Sequence, residues 1–233
     1  LRWTSTDVQT VYGYYVNDGT AIPAANGSYT VSAVNNSYLA GKDEIKFSDA
    51  TGNYHNKATL TLHQQLAKIS ITVKSADGTS VASEGKLGGG MLYTTGTFSN
   101  VFDANGYANG GENETGWTRA TNDDPVTIDL ASPTYNESNH TYTFETVILP
   151  QRISNTSNPF FTIKVSTQAS GAEFTAKYYL KTATTFKAGC SYNLVVDDIT
   201  MTLYMTEPIY VDDFTDFDAS RIAVTPSSGT TWS

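Results

Sequence analysis

The chain has 233 residues and a formal net charge of −9, from 14 Lys+Arg against 23 Asp+Glu. That acidic balance, with no basic run, repels phosphate backbones and argues against nucleic-acid binding. Hydrophobic residues at 39% supply a real core and exclude bulk disorder, and no apolar run approaches the ~20 residues of a membrane-spanning helix. Charged residues are only 16%, below the roughly 25% of an average soluble domain. The polar surface is drawn instead from Thr, Ser, Asn and Tyr, a composition common in extracellular β-proteins. The single cysteine, Cys190, cannot staple the chain to itself and reads as a small buried hydrophobe.

Taken in chain order, the first strand signals fall at 8–16, 29–34, 44–47 and 59–62, and a short helix candidate covers 63–67. Period-2 alternation then dominates. Ile69, Ile71 and Val73 share a face, as do Val126, Ile128 and Leu130, and then Tyr142, Phe144, Thr146 and Ile148. Phe161, Ile163 and Val165 form the next set, followed by Phe174, Ala176, Tyr178 and Leu180, and by Tyr192, Leu194 and Val196. Turn residues separate the runs at Asp77-Gly78, Asn105-Gly106, Asn109-Gly110-Gly111 and Ser170-Gly171. Many short strands with one buried face predict an all-β protein built from β-sandwiches.

Residues 66–200 hold roughly seven strands, enough to close a C-terminal sandwich. Residues 1–65 offer too few for a comfortable second one, so an N-terminal sandwich lacking a strand is expected. Residues 201–233 form a C-terminal extension with further strand signals at 209–211 and 222–224. A sheet with an open edge recruits a strand from its own chain or from a neighbour.

Several motifs in this order resemble the Bacteroidales fimbrillins. They are the aromatic strand Tyr12-Gly13-Tyr14-Tyr15, an apolar-x-His-x-x-x-x-Lys-apolar segment carrying His63 and Lys68, the strand end Ile148-Leu149-Pro150-Gln151, and Ala188-Gly189-Cys190-Ser191-Tyr192-Asn193-Leu194. The resemblance spans roughly residues 3–200, with Cys190 standing where Lys is commoner. It implies a pilus subunit made of two transthyretin-like β-sandwich domains, exported as a lipoprotein and cut after an arginine so that its first strand is lost. C-terminal strands of the next subunit then fill the groove left behind. On this reading the start at Leu1, without a Met, is the new N-terminus of a mature form, and membrane contact is made only through a removed lipidated precursor segment. The partners implied are identical subunits in a head-to-tail fibre, with other fimbrial subunits and host or bacterial surface ligands. The location implied is extracellular, in a fimbrium on the bacterial outer-membrane surface.

The apolar residues Ile209, Val211, Phe214, Ile222, Val224 and Trp232 are the candidate donor-strand anchors. Each buried anchor contributes roughly 1.5–3 kcal/mol, and about five together supply on the order of 10 kcal/mol before ordering costs. The competing arrangement folds these strands back onto their own domain, and 199–205 is open to either reading. Pro208 and Pro226 suit strand breaks or edges.

No residue pattern points to catalysis, a cofactor or a metal. The acidic run Asp212-Asp213-Phe214-Thr215-Asp216-Phe217-Asp218 lacks the glycine and terminal Glu of a calcium loop. Residues 103–114 read as a long exposed loop, and His63 as a packing residue between domains. The sequons at Asn113 and Asn139 read as chance products of an Asn/Ser/Thr-rich surface. A rival function is carbohydrate binding on exposed aromatics, for which Trp3, Tyr14, Tyr15, Tyr107 and Trp117 are the candidates. A third is a tip or anchor subunit of the same fibre.

Overall fold

The computed structural model describes residues 9–16, 28–30, 38–45, 60–75, 78–99, 101–167, 171–197, 204–205 and 209–210. Among these residues the fold is all-β, with a single 3₁₀ turn at Glu112–Glu114. The larger apolar cluster lies between two sheets. One runs β10 (Thr134–Asn136), β11 (Thr141–Ile148), β5 (Ala67–Lys74), β16 (Cys190–Val196) and β17 (Tyr204–Met205), with β18 (Ile209–Tyr210) also on β16. The other runs β14 (Glu173–Tyr178), β13 (Phe161–Thr167), β6 (Ser80–Leu92) and β9 (Val126–Asp129). A two-stranded ribbon of β12 (Gln151–Ile153) and β15 (Thr184–Phe186) lies beside them.

The alternation read from the sequence sets this core. Ile69, Ile71 and Val73 of β5 meet Phe161, Ile163 and Val165 of β13 in one buried cluster. β5 pairs antiparallel with β11, Ile71 opposite Phe144, and parallel with β16, Ile71 opposite Leu194. Cys190 lies buried in the same cluster, outside any disulfide. On the outer face, Lys164 bonds Glu173 at 3.1 Å and Lys86 bonds Asp129 at 2.7 Å. Those hydrogen bonds hold both ammonium groups above their usual pKa, but such exposed pairs add little stability.

A second cluster joins two three-stranded sheets. One is β1 (Gln9–Val16), β3 (Tyr38–Ile45) and β4 (His63–Gln64); the other is β2 (Ser28–Thr30), β7 (Thr95–Phe98) and β8 (Trp117–Arg119). Tyr38 and Ala40 from β3 pack with Phe98 of β7 and Trp117 of β8. The two clusters share a strand. Phe144 and Ile148 of β11 point into the larger cluster, whereas Val147 and the following Leu149 enter the smaller one, as the period of 2 requires.

Two expectations from the sequence need correction. Residues 63–67 are extended rather than helical: β4 pairs with β3, Leu39 opposite Gln64, and Ala67 already opens β5. Tertiary hydrogen bonds to Gln64 and Gln65, described below, override local helix preference here. Residues 60–62 are not a strand. They cross the outer face of β1 and β3, where Gly13 stands opposite Gly41. A Cβ on Gly41 would run into the backbone carbonyl of Thr61, so only glycine admits this crossing. Gly41→Ala is expected to destabilise the chain by about 1–3 kcal/mol, the cost of overpacking against an immovable backbone. Chemical denaturation checks this, and wild-type stability in the variant would show that the crossing is not held tightly.

Candidate functional site

The residues of the His63–Lys68 motif meet where the two clusters join. Gln64 and Gln65 are 1% and 0% exposed, which is tolerable for amides only if every polar atom is bonded. The Gln64 Oε1 accepts from the backbone N–H groups of Tyr38 (3.2 Å), Gln65 (3.1 Å) and Leu66 (3.2 Å). The Gln65 Nε2 faces the carbonyl oxygens of Ala40, His63 and Gly106 at 3.0–3.2 Å. Its Oε1 accepts from the Ala108 N–H at 2.8 Å. Trp117 Nε1 in turn donates to the Gln65 carbonyl at 3.1 Å. Two adjacent side chains therefore tie β3 and the 102–108 loop to the segment that leads into β5, and the Gln65 backbone carbonyl adds β8 through Trp117. His63 packs its ring on Tyr107, with centroids 5.0 Å apart.

The other motif residues are also structural. Lys68, with its side chain 11% exposed, pairs with Glu145 of β11 at 3.1 Å. The Gln151 amide mimics a strand partner for Tyr93: Oε1 accepts from its N–H at 2.9 Å and Nε2 donates to its carbonyl at 3.0 Å. Gly189 sits at φ +68°, and a Cβ there would strike the Tyr107 ring. The Tyr192 hydroxyl accepts from the Lys187 N–H at 2.7 Å and donates to the Thr185 carbonyl at 3.3 Å, closing the turn between β15 and β16.

The aromatic strand β1 sends Tyr14 towards the smaller cluster. Its ring meets Phe98 edge-on at 6.2 Å, while Phe98 and Tyr38 each pack against Trp117 at 5.2–5.3 Å, geometries that aromatic quadrupoles favour. The Tyr14 hydroxyl oxygen is buried without a hydrogen-bond partner among the described residues. Burial pushes its pKa up, and Tyr12 adds to the effect.

Two of the proposed sugar-stacking residues are ruled out by burial: Trp117 is 1% and Tyr107 8% exposed. Tyr14 and Tyr15 are half-buried, and Trp3 lies outside the described residues. The 103–114 segment is largely exposed, as expected of a loop, but Tyr107 and Ala108 within it are buried. Asp103 Oδ1 accepts from the N–H groups of Asn105 and Tyr107, and Phe102 bridges Ala108. Of the donor-strand candidates, Ile209 stands opposite Ser191 on β16 of its own chain. Val211, Phe214, Ile222, Val224 and Trp232 lie outside the described residues, as do Leu1 and the acidic run 212–218. Among the described residues, no three His, Cys, Asp or Glu side chains converge as a metal site would need.

Among solved structures the chain is similar to a candidate cell adhesion protein from Bacteroides ovatus. The identity is 14% and the TM-score 0.54, over 91% of this chain and 71% of that one. It is also similar to a candidate cell adhesion protein from Bacteroides uniformis (15% identity, TM-score 0.48, 86% and 72% covered). A further similarity is to the fimbrial anchor protein Mfa2 from Porphyromonas gingivalis (10% identity, TM-score 0.31, 88% and 76% covered). At such identities the first of these shows a shared fold. No protein-family model and no curated protein matches the chain.

Gln65→Ala is expected to cost about 3–4 kcal/mol, because it leaves buried carbonyls and an N–H unpaired. Gly189→Ala is expected to cost about 2–4 kcal/mol, from the left-handed backbone and the clash with Tyr107. Urea melts of both variants decide this; losses below about 1 kcal/mol would mean the junction is not tightly specified.

Proposed function

We propose that this chain is a structural, non-enzymatic subunit of a cell-surface fimbria of the fimbrillin type. The observation that carries the reading is the fold it shares, over 91% of its length, with a candidate cell adhesion protein. The motifs of the sequence support it, since each falls on a residue that holds the fold together. In this proposal the subunits polymerise head to tail by strand donation. The N-terminal sandwich is the acceptor. Its edge strands β1 and β2 each pair on one side only among the described residues, leaving backbone groups to bond an incoming strand.

The donor is the C-terminal extension. β17 and β18 pair with β16, so the donated stretch follows Tyr210 and uses Val211, Phe214, Ile222, Val224 and Trp232. Ile209, although a candidate anchor, then serves as the fixed base of the arm. Backbone hydrogen bonds supply affinity, and alternate side chains set the register. Other fimbrial subunits are partners at the fibre ends.

The test compares the full chain with one lacking residues 211–233, by negative-stain microscopy and unheated gel electrophoresis. The full chain is expected to form fibres or heat-sensitive ladders, and the truncated chain to remain a folded monomer. Two folded monomers would reject strand donation by this tail.

A further inference from the structure

A polar cleft of about 300 Å³ opens beside the smaller cluster, and none of its lining residues belongs to the proposed acceptor edges β1 and β2. Its floor is apolar, from Leu149 and Pro150, and its rim carries Tyr93, Asn113, Arg119 and Arg152. Two of the rim groups, Tyr93 and Arg119, are held by the fold. Gln151 fixes the Tyr93 backbone. Tyr93 then holds Arg119: the guanidinium carbon is 5.0 Å from the ring centroid, and Nη1 donates to the hydroxyl at 2.6 Å. Arg152, next in sequence to Gln151, is exposed on β12, and its side chain makes no hydrogen bond or ion pair among the described residues.

The opposite wall is backbone-strained. Asn113 (φ 54°), which lines the cleft, and Glu114 (φ 56°) next to it both adopt the left-handed conformation, which Asn tolerates and Glu does not favour. The surroundings hold them there. The Thr115 hydroxyl donates to the Glu112 carbonyl at 2.8 Å and reaches the Trp117 carbonyl at 3.2 Å, and the Gly116 N–H donates to the Gly110 carbonyl at 2.8 Å. Strain kept in this way is a feature of ligand-binding loops.

The charge of the cleft departs from that of the chain. Glu112 is the acid in its lining, and it answers only one of the two arginines, Arg119, at 3.8 Å. A net positive site therefore survives on a molecule of formal charge −9. Guanidinium forks match carboxylates in geometry, while the Asn113 amide and the Ser154 hydroxyl, which also line the cleft, suit neutral hydroxyls.

We infer that this cleft binds a carboxylate-bearing sugar, a hexuronic or sialic acid residue. Arg152 takes the carboxylate with Arg119 beside it, and the rim amide and hydroxyl groups contact the ring hydroxyls. The inference does not depend on strand donation.

The experiment titrates the full chain with glucuronate, galacturonate and N-acetylneuraminate, followed by amide NMR shifts, read in solution where the chain is monomeric and by magic-angle spinning where it forms fibres, with glucose, galactose and acetate as controls. At least one acidic sugar is expected to give saturable shifts at Asn113, Arg119 and Arg152. The Kd should be of order 1 mM, as ligand efficiency allows for so small a molecule. Arg152→Gln, with an unchanged melting curve, should weaken binding by about tenfold or more. Arg152→Lys should fall between that variant and wild type. The inference is overturned if no acidic sugar shifts these amides, if acetate or a neutral sugar binds equally well, or if Arg152→Gln binds as wild type does.

Discussion

Two neighbouring buried glutamines set the terms for the rest of the molecule. A primary amide removed from water must find partners for both its oxygen and its NH₂ group. Gln64 and Gln65 find theirs in backbone groups of β3, of the 102–108 loop and of their own segment. Because β3 and the 102–108 loop lie far from the glutamines in sequence, satisfying the amides fixes where each of these segments lies. The smaller aromatic cluster is thereby set against β5 and β11, and β11 contributes side chains to both cores.

The sheets around the larger cluster were largely legible in the sequence, because their chemistry is local. Ile69, Ile71 and Val73, like Tyr192, Leu194 and Val196, alternate with a period that only a half-buried strand satisfies. β6 was not legible. Its glycines at 88–90 all have positive φ, and its register against β9 shifts between Leu87 and Leu92, so a long strand carries no clean alternation. β7 and β8 were hidden for another reason. Strands of three or four residues give almost no periodic signal, and the pairing of Tyr29 with Gly96 links segments far apart in the chain.

The junction was only half visible. His63 and Lys68 stood out as motif positions, but nothing local marks the two glutamines between them as buried, since Gln is usually exposed. The same limit left Trp117 and Tyr107 open between a sugar platform and a packing role. An aromatic residue in a Gly/Asn-rich stretch reads as well for a sugar platform as for a core, and only the hydrogen bond from Trp117 to Gln65 and the packing of Tyr107 on His63 separate the two. The cleft residues Arg119 and Arg152 carry no sequence signal, because their shared rim exists only once Gln151 has bonded Tyr93.

In the described residues, buried polar groups mostly serve to join segments of the fold. That arrangement requires the two clusters to yield together. Native-state hydrogen exchange under rising denaturant tests this directly. If Gln64 and Gln65 couple the clusters, the amides of Tyr38, Leu66 and Ala108 will open with the same free energy and denaturant dependence as those of Ile71 and Leu194. Exchange of the first group through an opening that leaves β5 and β16 protected would contradict the account.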